Sequence, residues 1–158
     1  MLKVVCVGKI REKAMQELLK EYQKRLSGYC TLSIEEVSDE ATLQSNSEAM
    51  NEQIKKKEGE RILSRIKDKE YVILLELKGK MLSSVALSEK MEQLFNEGHP
   101  DLTFVIGGSL GVSEEVKARA DFLWQLSELT FPHQLVRLIL LEQIYRAYKI
   151  MKHEPYHK

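Results

Sequence analysis

The last six residues, HEPYHK (153–158), follow directly on the apolar run LVRLILLEQIYRAYKIM. Two imidazoles, a phenol and an ammonium around a proline are more chemistry than a frayed terminus requires. A neutral histidine can take up a proton near neutral pH. A tyrosine ring can stack on a base, and a lysine can hold an anion. Projected at about 100° per residue, the helix before this tail carries Glu142, Arg146, Lys149 and His153 along one side. Arg137 falls among Leu141, Ile144 and Tyr148, inside the apolar arc. There it is either paired in a subunit interface or held facing a ligand, unless its stem merely snorkels. From Arg137 to Lys158 five basic residues stand against two acidic ones. His153 and His157 have the spacing of a helical metal pair, but Pro155 breaks that helix, so no metal site is expected. A positive segment bearing aromatic side chains suits an anionic, stackable substrate such as RNA.

A second group of candidates is glycine-rich. The run Gly107-Gly108-Ser109-Leu110-Gly111 lets a backbone approach a ligand closely. It is neither a dinucleotide fingerprint nor a phosphate loop, because the required glycine spacing and the GK[ST] signature are both missing. Taken alone, a plain turn explains it as well as a ligand loop does.

These residues need elements to hold them. LKVVCVG reads as a buried strand closing on Gly8, and EKAMQELLKEYQKRLSG as a helix with Gly28 just past its end. TLSIEEV reads as a strand, and 38–48 as a polar, mobile loop. A charged helix is expected from Ala49 to about Lys67. Its seven basic residues are offset by six acidic ones between Glu48 and Glu70, which favours a solvated face over a phosphate-binding patch. YVILLEL reads as a strand, KGKMLSS as its exit loop, and 85–97 as a helix. DLTFVIGG is another strand, and Ser113 is placed to cap a short helix. FLWQLSELTF begins as a strand, Pro132 stands where a helix starts, and that helix runs to Lys152. Apolar strands alternating with helices predict a single-domain α/β fold over 1–158, a parallel-rich sheet flanked by helices. Ligands then sit beyond the carboxyl ends of the strands, in the loops after Leu75, Val105 and Trp124.

The totals set limits. Lys plus Arg equals Asp plus Glu at 24 each, which argues against indiscriminate nucleic-acid binding but leaves room for a local basic patch. No segment is apolar for long enough to cross a membrane, and the N-terminal run is too short for a signal peptide. Cys6 and Cys30 lack any paired spacing and are expected as reduced, buried thiols in a cytoplasmic protein.

Together FVIGGSLG, LTFPHQLVR, EQIYRAYKI and the terminal HEPYHK resemble the methyltransferase H group of large-subunit ribosomal RNA enzymes. These are SPOUT-class, S-adenosylmethionine-dependent methyltransferases. The resemblance spans the whole chain and implies a C-terminal trefoil knot, a homodimer, and methylation of N3 of a pseudouridine on assembled ribosomes. It implies a cofactor pocket of Leu75, Gly107, Leu126, Ser127, Glu128, Leu129, Thr130 and Phe131. His133, Arg146, Tyr156 and His157 are the implied catalytic residues, and Arg137, Lys149, His153 and Lys158 the implied RNA contacts. His133 and His157 are the candidates for accepting the N3 proton. The final Lys158 departs from the arginine that relatives often carry, so a bidentate clamp by the last residue is not expected. Two rivals remain at this point: a methyltransferase of the same fold acting on tRNA, and a non-catalytic ribosome-binding dimer.

Overall fold

The computed structural model describes residues 1–158 as a five-stranded sheet with five helices. In chain order these are β1 (Leu2–Val7), α1 (Lys13–Leu26), β2 (Leu32–Val37), α2 (Glu48–Leu63) and β3 (Tyr71–Met81). They continue with α3 (Ser84–Asn96), β4 (Leu102–Ile106), α4 (Glu114–Arg119), β5 (Phe122–Gln125) and α5 (His133–Met151). The strand order is β2-β1-β4-β3-β5, and every pairing is parallel.

Alternation along the strands divides the core into two layers. Leu2, Val4, Cys6, Leu102, Phe104 and Ile106 face one way, against apolar residues of α1, α3 and α5. Val5, Val7, Val72, Leu74 and Val105 face the other way, against Ile62 of α2 and Val116 of α4. Both faces of the central strands are therefore covered, which is why their sequences are continuously apolar.

Three boundaries differ from the sequence-based expectation. The charged helix stops at Leu63 rather than Lys67, and its N-cap is Ser47, whose hydroxyl accepts a bond from the Met50 amide. The 38–48 segment is anchored at its start, where Glu40 and the Ser38 carbonyl hold Arg61. The KGKM stretch is strand rather than loop. It rejoins β5 at Lys80 and Met81 after a shift in register beyond Leu75. Gly79 makes this possible: a Cβ there would lie 2.6–2.7 Å from backbone atoms of Leu123 and Trp124. Both cysteines are free, Cys6 buried and Cys30 half-buried.

Inside the sheet lies one fully buried ion pair. Lys3 Nζ donates to Glu70 Oε1 at 2.6 Å and to the Arg65 carbonyl at 2.8 Å. Glu70 Oε2 accepts from Thr103 Oγ1 at 2.8 Å and from the Lys67 amide at 3.2 Å. Each charged group thus has hydrogen-bond partners besides the other, which is what a buried pair requires.

Candidate functional site

The carboxyl ends of β3, β4 and β5 open into a cleft of about 390 Å³. Leu75, Gly107, Leu126, Ser127, Leu129, Thr130 and Phe131 all line it; Glu128, expected with them, lies outside the lining and is exposed. Glu76, Gln125 and Trp124 also face the cleft, Glu76 in the segment after Leu75 that the sequence marked as a ligand loop, though none of the three was singled out as a site residue.

Each wall has a local cause. The glycine loop closes as a tight turn, with the Gly111 amide donating to the Gly108 carbonyl at 3.1 Å. Gly111 has a φ of 86°, which a side chain would strain. Gly107 is needed for space, since a Cβ there would lie 2.6 Å from Val112 Cγ1 and 3.3 Å from the Gly111 carbonyl. In the third loop the Leu129 amide donates to Ser127 Oγ at 3.0 Å, which bends the chain towards Pro132 and α5. His133, the first residue of α5, faces the cleft. Gly107→Ala should keep the fold and weaken ligand binding in the cleft about tenfold, about 1.4 kcal/mol by titration calorimetry. Unchanged affinity would mean the loop is not part of the binding wall.

The tail forms a second cluster. Helix α5 ends as His153 takes a φ of 53°, and the Glu154 amide returns to the Lys149 carbonyl at 2.9 Å. Glu154 is then fixed by Lys149 Nζ at 2.6 Å and by the Tyr29 hydroxyl. Bonds from Lys149 and Tyr29 hold the Glu154 carboxyl below the usual range. The chain doubles back so that Tyr156 OH donates to Glu142 Oε1 at 3.1 Å. Arg146 lies on the same carboxylate, with Nη2 to Oε1 at 2.6 Å, and its guanidinium covers the Tyr156 ring at 4.6 Å. Burial and the Glu142 bond push the Tyr156 hydroxyl up to about 12, so it is a hydrogen-bond donor at neutral pH.

His157 Nδ1 meets Arg146 Nη1 at 3.3 Å. A guanidinium only donates, so Nδ1 accepts in this contact and Nε2 carries the ring hydrogen. Tyr156, His157 and Arg146 therefore converge around Glu142; helical spacing placed Glu142 beside Arg146 but could not reveal its bond to Tyr156.

His133 and Glu142 are nine residues apart, which on a helix is about 13 Å of axial rise. Within one chain the cleft and the tail cluster stand apart. The remaining expected RNA contacts divide as well. Lys149 is engaged with Glu154, while His153 and Lys158 are exposed.

Arg137 lies on no surface of this chain: it is 3% exposed. Its Nη1 donates to Glu36 Oε2 at 2.9 Å, and its Nη2 to the carbonyls of Val7 and Gly8 at 2.9 and 2.6 Å. It ties α5 to the carboxyl ends of β1 and β2. The apolar position was legible, but a partner 101 residues away was not.

Residues 1–157 match the family described as "Predicted SPOUT methyltransferase". The chain is 52% identical over 157 residues to a ribosomal RNA large subunit methyltransferase H of Lactobacillus delbrueckii, covering 99% of each chain. It is 54% identical to one of Desulfitobacterium hafniense, covering 99% of this chain and 98% of the relative. The "Ribosomal RNA large subunit methyltransferase H 1" of Clostridium perfringens is 52% identical over 155 residues, 98% of each chain. Matched at this level from end to end, the chain belongs to the SPOUT methyltransferase family, within the group of the large-subunit methyltransferase H proteins.

Proposed function

We propose that the protein is a cytoplasmic, S-adenosylmethionine-dependent methyltransferase that modifies N3 of a pseudouridine in large-subunit ribosomal RNA. It acts on assembled ribosomes as a homodimer whose cleft region closes as a trefoil knot. The observation that carries this reading is the cleft itself, built from three strand-end loops in a chain alike from end to end to enzymes named for that RNA.

The cleft fits the methyl donor. Leu75, Leu126 and Phe131 give apolar contact, and loops with glycine and serine offer backbone groups to an adenine and a ribose. Bound there, S-adenosylmethionine supplies an electrophilic methyl group. The protein's own task is to hold the attacking nitrogen in line with it and to remove the proton from that nitrogen. His133, at the cleft, accepts the N3 proton. His157, with its hydrogen on Nε2, and Tyr156, a neutral phenol, donate to or stack on the base. Arg146 stabilises the charge that develops as the base loses its proton. A second chain brings this tail to the cleft. Leu77 and Leu129, 65% and 68% exposed at its rim, supply apolar surface for that contact.

The test is labelled-methyl transfer from S-adenosylmethionine to intact ribosomes from cells lacking this gene, with the product nucleotide mapped. Label at N3 of a large-subunit pseudouridine is expected. No incorporation into ribosomes with donor binding intact would overturn the substrate assignment, and label in tRNA would replace it.

A further inference from the structure

We propose that the loop between β1 and α1 with the first residue of α1, through Lys9, Arg11 and Lys13, is a docking surface for backbone phosphates of the substrate RNA. This rests on the reading of RNA as the substrate. The chain has seven arginines, and six are held in ion pairs within it. Arg11 is the exception, and Lys9 and Lys13 on either side of it are likewise exposed and in no ion pair. In a chain with no net charge, three cations against the single Glu12 within five residues leave a local excess of two positive charges on this rim.

The loop is held firmly. The Gly8 amide donates to the Val37 carbonyl at 2.8 Å and the Ile10 amide to Glu36 Oε2 at 3.1 Å. Gln16 Nε2 donates to the Ile10 carbonyl at 2.8 Å, and Ile10 is buried. Ile10 thus anchors the loop inward, while the cations on both sides of it face solvent. The buried Arg137, paired with the more exposed Glu36, fixes the loop's base. Cations on a rigid loop that form no ion pair in the free protein gain value when phosphates arrive.

The loop also stands in the right place. Val7, just before it, packs against the glycine loop of the cleft: its Cγ1 lies 3.3 Å from where a Gly108 Cβ would be. β1 is the neighbour of β4, whose end forms the cleft wall. An RNA strand with one base in the cleft would carry its flanking phosphates across this rim. The face of α2, although rich in lysine, is threaded with glutamates and lacks this one-sidedness.

The experiment compares K9A/R11A/K13A with K24A/K67A/K69A, which removes three exposed cations lying towards the opposite ends of the strands. Binding to intact, unmodified ribosomes is measured across a range of monovalent salt, with donor affinity and thermal melting as controls. The rim variant should bind about tenfold more weakly. Its slope of log affinity against log salt should be shallower by nearly one per cation, roughly two to three in all. The opposite-end variant should match wild type. Equal slopes for rim variant and wild type, or equal losses in both variants, would overturn the proposal. The slope remains a readout even if wild-type protein transfers no methyl group to ribosomes, an outcome that would refute the enzymatic reading separately.

Discussion

Glu70→Ala is expected to destabilise the fold by about 3–5 kcal/mol, the range for removing one partner of a buried, hydrogen-bonded ion pair. Lys3 would keep the Arg65 carbonyl but lose its counter-ion, and Thr103 and the Lys67 amide would lose their acceptor. Equilibrium unfolding in urea reads this directly as a lower midpoint with an unchanged slope. A loss under 1 kcal/mol would mean that water replaces the carboxylate, and the pair would not be structural. Lys3→Met with Glu70→Leu should recover much of the loss, because an apolar pair leaves no buried charge unpaired.

Acid should act on the same carboxylate. Burial alone would raise the Glu70 pKa, but bonds from Lys3, Thr103 and the Lys67 amide outweigh it and leave the group below its ordinary value. A carboxylate depressed in the folded state stabilises the protein above its unfolded pKa of about 4.3. That contribution drains away as pH falls through the lower, folded value. The pH dependence of stability on the acid side should therefore be flatter in Lys3→Met/Glu70→Leu than in wild type.

The sequence exposed those parts of the structure that follow a local period. Strands such as LKVVCV and LTFVI carry their layer assignment in alternation, and Ser113 caps α4 as its position suggested, accepting from the Val116 amide at 3.4 Å. Contacts set by distant residues were not visible. Lys78-Gly79-Lys80 reads as a loop by composition and becomes strand only because β5 lies beside it. Arg137 was rightly placed in an apolar arc, yet its answer is the end of β1 and Glu36, which no spacing connects to α5. The last helix stops before Pro155, at Met151, and only the turn at His153 tells where the tail goes afterwards. It returns along α5 to Glu142, whose place beside Arg146 was legible in the helical spacing but whose bond to Tyr156 was not.

Tyr156→Ala or His157→Ala should lower methyl transfer by a factor of about 10²–10⁴, the range spanned by misplaced substrate and lost proton-transfer groups. Donor affinity should stay within about twofold, because neither side chain lines the donor cleft and both are assigned to the base rather than to the donor. Equal loss of transfer and of donor binding would sink this division of labour. Tyr156→Phe separates two contributions: it keeps the ring against Arg146 and the edge contact with Tyr145 at 5.0 Å, but removes the bond to Glu142. A rate between those of wild type and Tyr156→Ala is expected. Whether the tail serves its own cleft or its partner's is decided by mixing two inactive chains. Co-expressed Gly107→Trp, which fills the cleft, and His157→Ala form mixed dimers in which one site combines an intact cleft with an intact tail. If the tail serves the partner, a statistical mixture regains roughly a quarter of wild-type activity, since half the dimers are mixed and each has one working site. If the tail serves its own cleft, every site in the mixture carries a defect and nothing is regained. The 13 Å or so of helix between His133 and Glu142 predicts the first result.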